Sequence, residues 1–197
     1  MKIAVTGNPN YEGLCKGIYE AYNHNFVEFI GRYNGWDMTD LDAIVDHVKD
    51  YNVFINSQYG PGGEQVTLLN KLYPVFQGEH IINISSTSSY WHKVADTTKP
   101  LDAPENFPEF SQENYVKNKT ALDKTAKELC KNVCWGTSKI RITNIAFGQL
   151  ASKYKIQKSN VHKISLVDAG KLVKWVIDSP RDMNFHYIAV DPIQTDL

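Results

Sequence analysis

Six short apolar runs, separated by longer stretches with helical spacing, constrain the fold of this chain most. The runs are residues 2–6 (KIAVT), 25–30 (NFVEFI), 53–56 (VFIN), 80–85 (HIINIS), 139–145 (KIRITNI) and 185–190 (FHYIAV). Their centres are rich in Ile, Val and Phe, as expected of strands buried on both faces. Helix-like stretches cover 12–22, 41–49, 65–76, 112–132 and 165–177. Thr39 or Asp40 should cap the second of these, and Pro74 should perturb the end of the third. The alternation predicts an α/β chain with one doubly wound parallel sheet of about six strands, in three α/β/α layers.

The chain has 197 residues, 42% hydrophobic and 22% charged, with a net charge of −1. That balance suits a single domain over residues 1–197 with a real core. It gives no argument for nucleic acid or a membrane surface as partner. Met1-Lys2 leads into Ile-Ala-Val without a signal-peptide pattern, and three sparse cysteines suit a reducing compartment, so the expected location is cytoplasmic. Cys130 and Cys134 share a helix face and read as core packing. No His or Cys pair completes a metal site with them. Trp135 and Trp175 read as helix packing, and Lys93 as a solvated charge.

Ligands of such sheets bind outside the carboxyl ends of the strands. After the first strand comes Thr6-Gly7-x-x-Asn10-x-x-Gly13. Strand, tight turn and helix form the phosphate-binding opening of a dinucleotide fold. Gly7 would permit the turn, and Gly13 would let helix and strand pack closely. Asn10, Tyr11 and Glu12 lie between them. Free N–H groups at the helix start would hold a pyrophosphate. A structural turn that binds nothing is the alternative. Arg32 follows the second strand, where a basic residue accommodates the 2′-phosphate of NADP and an acidic one would favour NAD. An exposed loop arginine is the plain reading.

Tyr115 and Lys119 stand four apart in 112–132, whose apolar stripe is Val116, Leu122, Ala126 and Leu129. Residues i and i+4 share one helix face. An ammonium beside a phenol should lower its pKa, making Tyr115 a proton donor or acceptor near neutral pH. Ser86 ends the fourth run, where it could equally cap the strand.

Together these pieces resemble the short-chain dehydrogenase/reductase family. They are Thr6-Gly7-x-x-Asn10-x-x-Gly13, Asp37-Met38-Thr39-Asp40, the run IINISS ending at Ser86, and Tyr115-x-x-x-Lys119. The resemblance spans nearly the whole chain, and its spacing is closest to the extended and atypical branches. It implies a Rossmann-type fold, a nicotinamide cofactor and a Ser-Tyr-Lys catalytic group. The helix and strand usual between Arg32 and Asp37 are missing, and so is a substrate domain. Tyr115 would exchange a proton with the substrate, and Lys119 would hold the nicotinamide ribose. Ser86 would bond the substrate oxygen, with Thr87 as its rival. Asp37 and Met38 would contact adenine, and Asn56 and Ser57 would line the cofactor. Phe147 and Gly148 would lie beside the nicotinamide. Asn70 is a candidate for the family's helical Asn.

The expected function is an NADP(H)-dependent oxidoreductase acting on a small-molecule carbonyl or alcohol. Two alternatives remain open. One is a dinucleotide-binding regulator or scaffold without turnover. The other is a nucleotide-sugar epimerase or dehydratase that keeps NAD bound. Segment 149–162 is polar and could carry a lid. His92 could touch substrate from the loop after Ser86. Pairing of two chains through the Tyr115 helix, as a homo-oligomer, is the expected assembly.

Overall fold

The computed structural model describes residues 1–22, 26–89, 112–152 and 162–193. His92, Lys93 and most of 149–162 lie outside them. The elements are β1 (Ile3–Thr6), α1 (Leu14–Ala21), β2 (Val27–Ile30), α2 (Leu41–Val48), β3 (Val53–Asn56), α3 (Glu64–Leu72), β4 (His80–Ser86), α4 (Gln112–Cys134), β5 (Arg141–Phe147), α5 (Leu166–Asp178) and β6 (Tyr187–Val190). All six strands pair in parallel, in the order β2-β1-β3-β4-β5-β6. This is the doubly wound Rossmann-type arrangement. The order reverses between β1 and β3, so their carboxyl ends flank the switch crevice. β2 forms one edge, and only a single 3-10 turn, Arg32–Asn34, follows it before α2. The strand and helix missing from the sequence are missing from the sheet.

The central strands β1, β3, β4 and β5 are buried along their length, which explains their continuous apolar runs. On one face α1 and α5 cover Ile3, Val5, Ile55, Ile82 and Ile145. On the other, α2, α3 and α4 cover Ala4, Phe54, Ile81 and Ile142. β6 is half-exposed because it is the other edge. Asp40 is the cap of α2: its carboxylate accepts from the Ala43 N–H at 3.0 Å. α3 ends at Leu72 with Tyr73 still in helical backbone, since Pro74 has no N–H to continue the ladder.

Four packing expectations change. Gly13 does not serve close packing, because a Cβ there would meet nothing within 4 Å. The close approach is between helices instead. A Cβ on Gly17 would lie 1.9 Å from the Leu166 carbonyl oxygen, and one on Gly170 2.0 Å from that of Gly17. Cys130 is buried, but Cys134 is exposed beside His186, with Sγ 3.4 Å from Nε2. Trp135 is 82% exposed just past the end of α4. Trp175 is also exposed and packs at 5.1 Å on the Phe185 ring.

Candidate active site

The turn after β1 is shaped by Gly7, whose φ of +142° is a glycine conformation. A side chain there would also collide with Cys15 Sγ, at 2.4 Å. Burial pushes the Cys15 thiol up to about 11, so it is a packing group. Asn8 Oδ1 accepts from the Asn10 N–H at 2.9 Å, which tightens the turn. Asn10, Tyr11 and Glu12 are exposed on its rim. α1 begins at Gly13 with no side-chain cap and no acid in its first turn. A phosphate there would meet the positive helix end without a competing capping carboxylate, so the turn fits a dinucleotide.

Thr6 ties this turn to the next one. Its hydroxyl accepts from the backbone N–H groups of Ser57 at 2.9 Å and Gln58 at 3.1 Å. Ser57 Oγ lies 3.7 Å from Cys15 Sγ. Arg32 is exposed at the end of β2. Asp37 is held by Thr39, through the backbone N–H at 2.9 Å and the hydroxyl at 2.7 Å, and these bonds lower its pKa.

Ser86, Tyr115 and Lys119 come together at the carboxyl end of β4. The Ser86 hydroxyl and the Tyr115 phenol share a hydrogen bond. Lys119 Nζ lies 5.5 Å from the Tyr115 ring centre and 5.8 Å from that of Tyr59. The two tyrosine rings meet edge to face at 4.9 Å. Thr87 does not share this place: its hydroxyl donates to Asp191 Oδ1 at 2.9 Å.

The phenol is not acidified as expected. Burial raises the Tyr115 pKa, the Ser86 bond opposes this, and Tyr59 and Asp123 add to the rise. Lys119 does not offset this rise, because its amine is engaged elsewhere. Lys119 is 3% exposed and donates to Gln65 Oε1 and to the Ile84 carbonyl oxygen, both at 2.7 Å. Burial lowers Lys119 to about 7, and the Asp123 carboxylate pulls the other way. An amine drawn towards its neutral form lends little positive potential to a phenol.

A polar layer lies beneath these groups. Asn56, Asn83 and Asn144 stand in register across β3, β4 and β5, all buried. Asn56 Nδ2 donates to the Gln65 carbonyl at 2.8 Å and to Asn83 Oδ1 at 3.2 Å. Asn144 Nδ2 donates to Asp123 Oδ1 at 2.9 Å, and the single Ser89 hydroxyl proton lies between Asp123 Oδ2 at 2.6 Å and the Ser86 carbonyl oxygen at 2.7 Å. Asp123 thereby fixes the turn that carries Ser86.

Several expected contacts are not available to side chains. Met38 packs into the core with Ile30 and Ile44 rather than facing an adenine. Asn56 points into the polar layer, and Phe147 into the core under α1 and α5. Only their backbones can face the crevice. Gly148 is pinned by its N–H to the Val190 carbonyl at 2.7 Å. Asn70 is exposed on α3. Gln65 and Asp123 were missed. Asp123 was discoverable, since it continues the Tyr115, Lys119 spacing by four. Gln65 carried no local signal, because its partner is on another element. Among the described residues no cluster of three His, Cys, Asp or Glu could hold a metal ion, and no helix is long and apolar enough to cross a membrane.

No family model and no curated protein matches the sequence. Solved structures do match. The 3-alpha-hydroxysteroid dehydrogenase from Pseudomonas sp. B-0831, complexed with NADH, superposes with a TM-score of 0.68 at 15% identity, covering 97% of this chain and 95% of that one. The 3-ketoacyl-(acyl-carrier-protein) reductase from Brucella melitensis, complexed with NADH, gives 0.65 at 15% identity over 96% of each chain. A short chain dehydrogenase from Burkholderia cenocepacia J2315, in complex with NADP, gives 0.64 at 14% identity over 96% of this chain and 90% of that one. The chain therefore has the fold of the short-chain dehydrogenases and reductases.

Proposed function

We propose that this chain is a nicotinamide-dependent oxidoreductase interconverting a carbonyl and an alcohol on a small molecule. The observation that carries the reading is the Ser86 hydroxyl bonded to the Tyr115 phenol, with the Lys119 amine 5.5 Å from the ring. The structural neighbours support it, since they are dehydrogenases and reductases complexed with NADH or NADP. The cofactor supplies hydride chemistry; the protein's part is orientation and proton handling. Gly7 and the start of α1 would take the pyrophosphate, and Arg32 a 2′-phosphate. Ser86 would hold the substrate oxygen, and Tyr115 would give it a proton. A raised phenol pKa keeps Tyr115 protonated at neutral pH, which suits the reducing direction.

Isothermal titration with NADPH and NADH, followed by a carbonyl panel assayed for NADPH oxidation, tests this. Tyr115→Phe should bind nucleotide and lose roughly 10²–10⁴-fold in turnover. Wild type and Tyr115→Phe equally inert on the panel would sink the catalytic reading.

One observation favours a second reading, a dinucleotide binder without turnover. The Lys119 amine is already engaged by Gln65 and Ile84. Nucleotide binding with no turnover by the wild type is its signature. Pairing of two copies through α4 would bring together a mixed-charge outer face of Glu113, Lys117, Lys124, Lys127, Glu128 and Lys131, in which Lys131 bonds Glu128.

A further inference from the structure

Gln65 opens α3 and is buried, and every polar atom of its side chain has a partner. Nε2 donates to the Asn56 carbonyl at 2.8 Å and to the Ile84 carbonyl at 3.3 Å. Oε1 accepts from Lys119 Nζ at 2.7 Å. Asn56 returns a bond to the Gln65 carbonyl, so the first turn of α3 is locked to the end of β3. One side chain thus joins the carboxyl ends of β3 and β4 to the lysine of α4.

Building on the proposed Ser86, Tyr115 and Lys119 site, we propose that Gln65 is a positioning residue that fixes both the place and the charge of the Lys119 amine. The amide is the neutral choice at that spot. An apolar side chain would leave an N–H of the amine without an acceptor in the interior, favouring the uncharged form. A carboxylate would hold the amine as an ammonium. Other titratable groups face the same amine. Tyr59 comes from the loop after β3, and Tyr115 and Asp123 from α4. Glu64, one residue before Gln65, turns its carboxylate into the loop at Gly60 and Gly62. From β4 the amine meets only the Ile84 carbonyl oxygen. Burial already brings Lys119 to about 7, so small changes in its surroundings alter its charge at working pH.

The test is a pH titration of Lys119 by NMR in ligand-free protein labelled with ¹³Cε-lysine. The signal is identified by its loss in Lys119→Met. Gln65→Glu should move the inflection up and Gln65→Met should move it down, each by about one unit or more. Opposite shifts are the signature, because a merely structural loosening moves both the same way. Shifts of one sign, or none in folded variants, overturn the proposal. Should Gln65→Met not fold, Gln65→Asn withdraws the acceptor by one methylene and must shift downwards, and no shift overturns it equally. No nucleotide is present, so failure of NADPH to bind would count against the proposed function alone.

Discussion

Ser86 and Thr87 are adjacent in sequence, yet their hydroxyls take partners from different elements. Ser86 bonds the Tyr115 phenol, and Thr87 donates to Asp191 at 2.9 Å beyond β6. The two should therefore separate in mutation. Ser86→Ala should cost roughly 10²-fold or more in turnover with nucleotide affinity kept, by removing a donor at the developing charge. Thr87→Val should instead lower stability by about 1 kcal/mol. Steady-state kinetics and urea melts of both variants distinguish them. Thr87→Val losing more turnover than Ser86→Ala would reverse the assignment.

Arg32 is exposed where β2 ends, and its charge helps to lower the Asp37 pKa. Arg32→Asp should weaken NADPH by roughly tenfold or more, about 1.4 kcal/mol, and NADH much less. Unchanged affinity for both nucleotides in titration calorimetry would remove Arg32 from the 2′-phosphate.

His80 lies in the core at the start of β4, with Nε2 2.8 Å from Thr143 Oγ1. Burial, helped by the Arg141 guanidinium, lowers its pKa to about 3. The unfolded chain protonates a histidine near 6.5, so between about 6.5 and 3 it binds more protons than the folded protein. This contribution is complete above pH 6.5 and is lost as pH falls towards 3. Urea midpoints measured from pH 7 to pH 5 should fall more steeply in wild type than in His80→Gln. Parallel slopes would contradict the burial of a neutral ring.

Gly17 and Gly170 bring two helix backbones together, and alanine at either has no room. Gly17→Ala should destabilise by roughly 1–3 kcal/mol through overpacking, outweighing alanine's better helix propensity. Gly13→Ser is the control: its Cβ meets nothing within 4 Å, its φ is −157°, and serine is a good N-cap. Its melting temperature should match or exceed wild type, measured without nucleotide.

The strands were legible because burial on both faces writes itself as continuous apolar runs. Tyr115 and Lys119 were legible as a pair because helical spacing is local. What the lysine does was not. Its amine bonds an amide on α3 while lying 5.5 Å from the Tyr115 ring centre, and the contact between residues 65 and 119 leaves no periodic trace. The same holds for Met38 and Asn56. Both stand where a ligand contact is expected, but their side chains turn inwards, Met38 from the turn before α2 and Asn56 from the end of β3. Gly13 and Gly17 look alike in sequence, and only the position of α5 separates them.

The helix carrying Gly170 arrives late in the chain, whereas the turn around Gly7 arrives almost first. During synthesis β1 and α1 can pack on β2 and β3 as these follow, but the face of α1 around Gly17 stays uncovered until residues 166–178 are made. The helix contact at Gly17 is therefore among the last to form, although α1 is among the first elements to be made. A chain stalled before α5 would expose the bare backbone of Gly17.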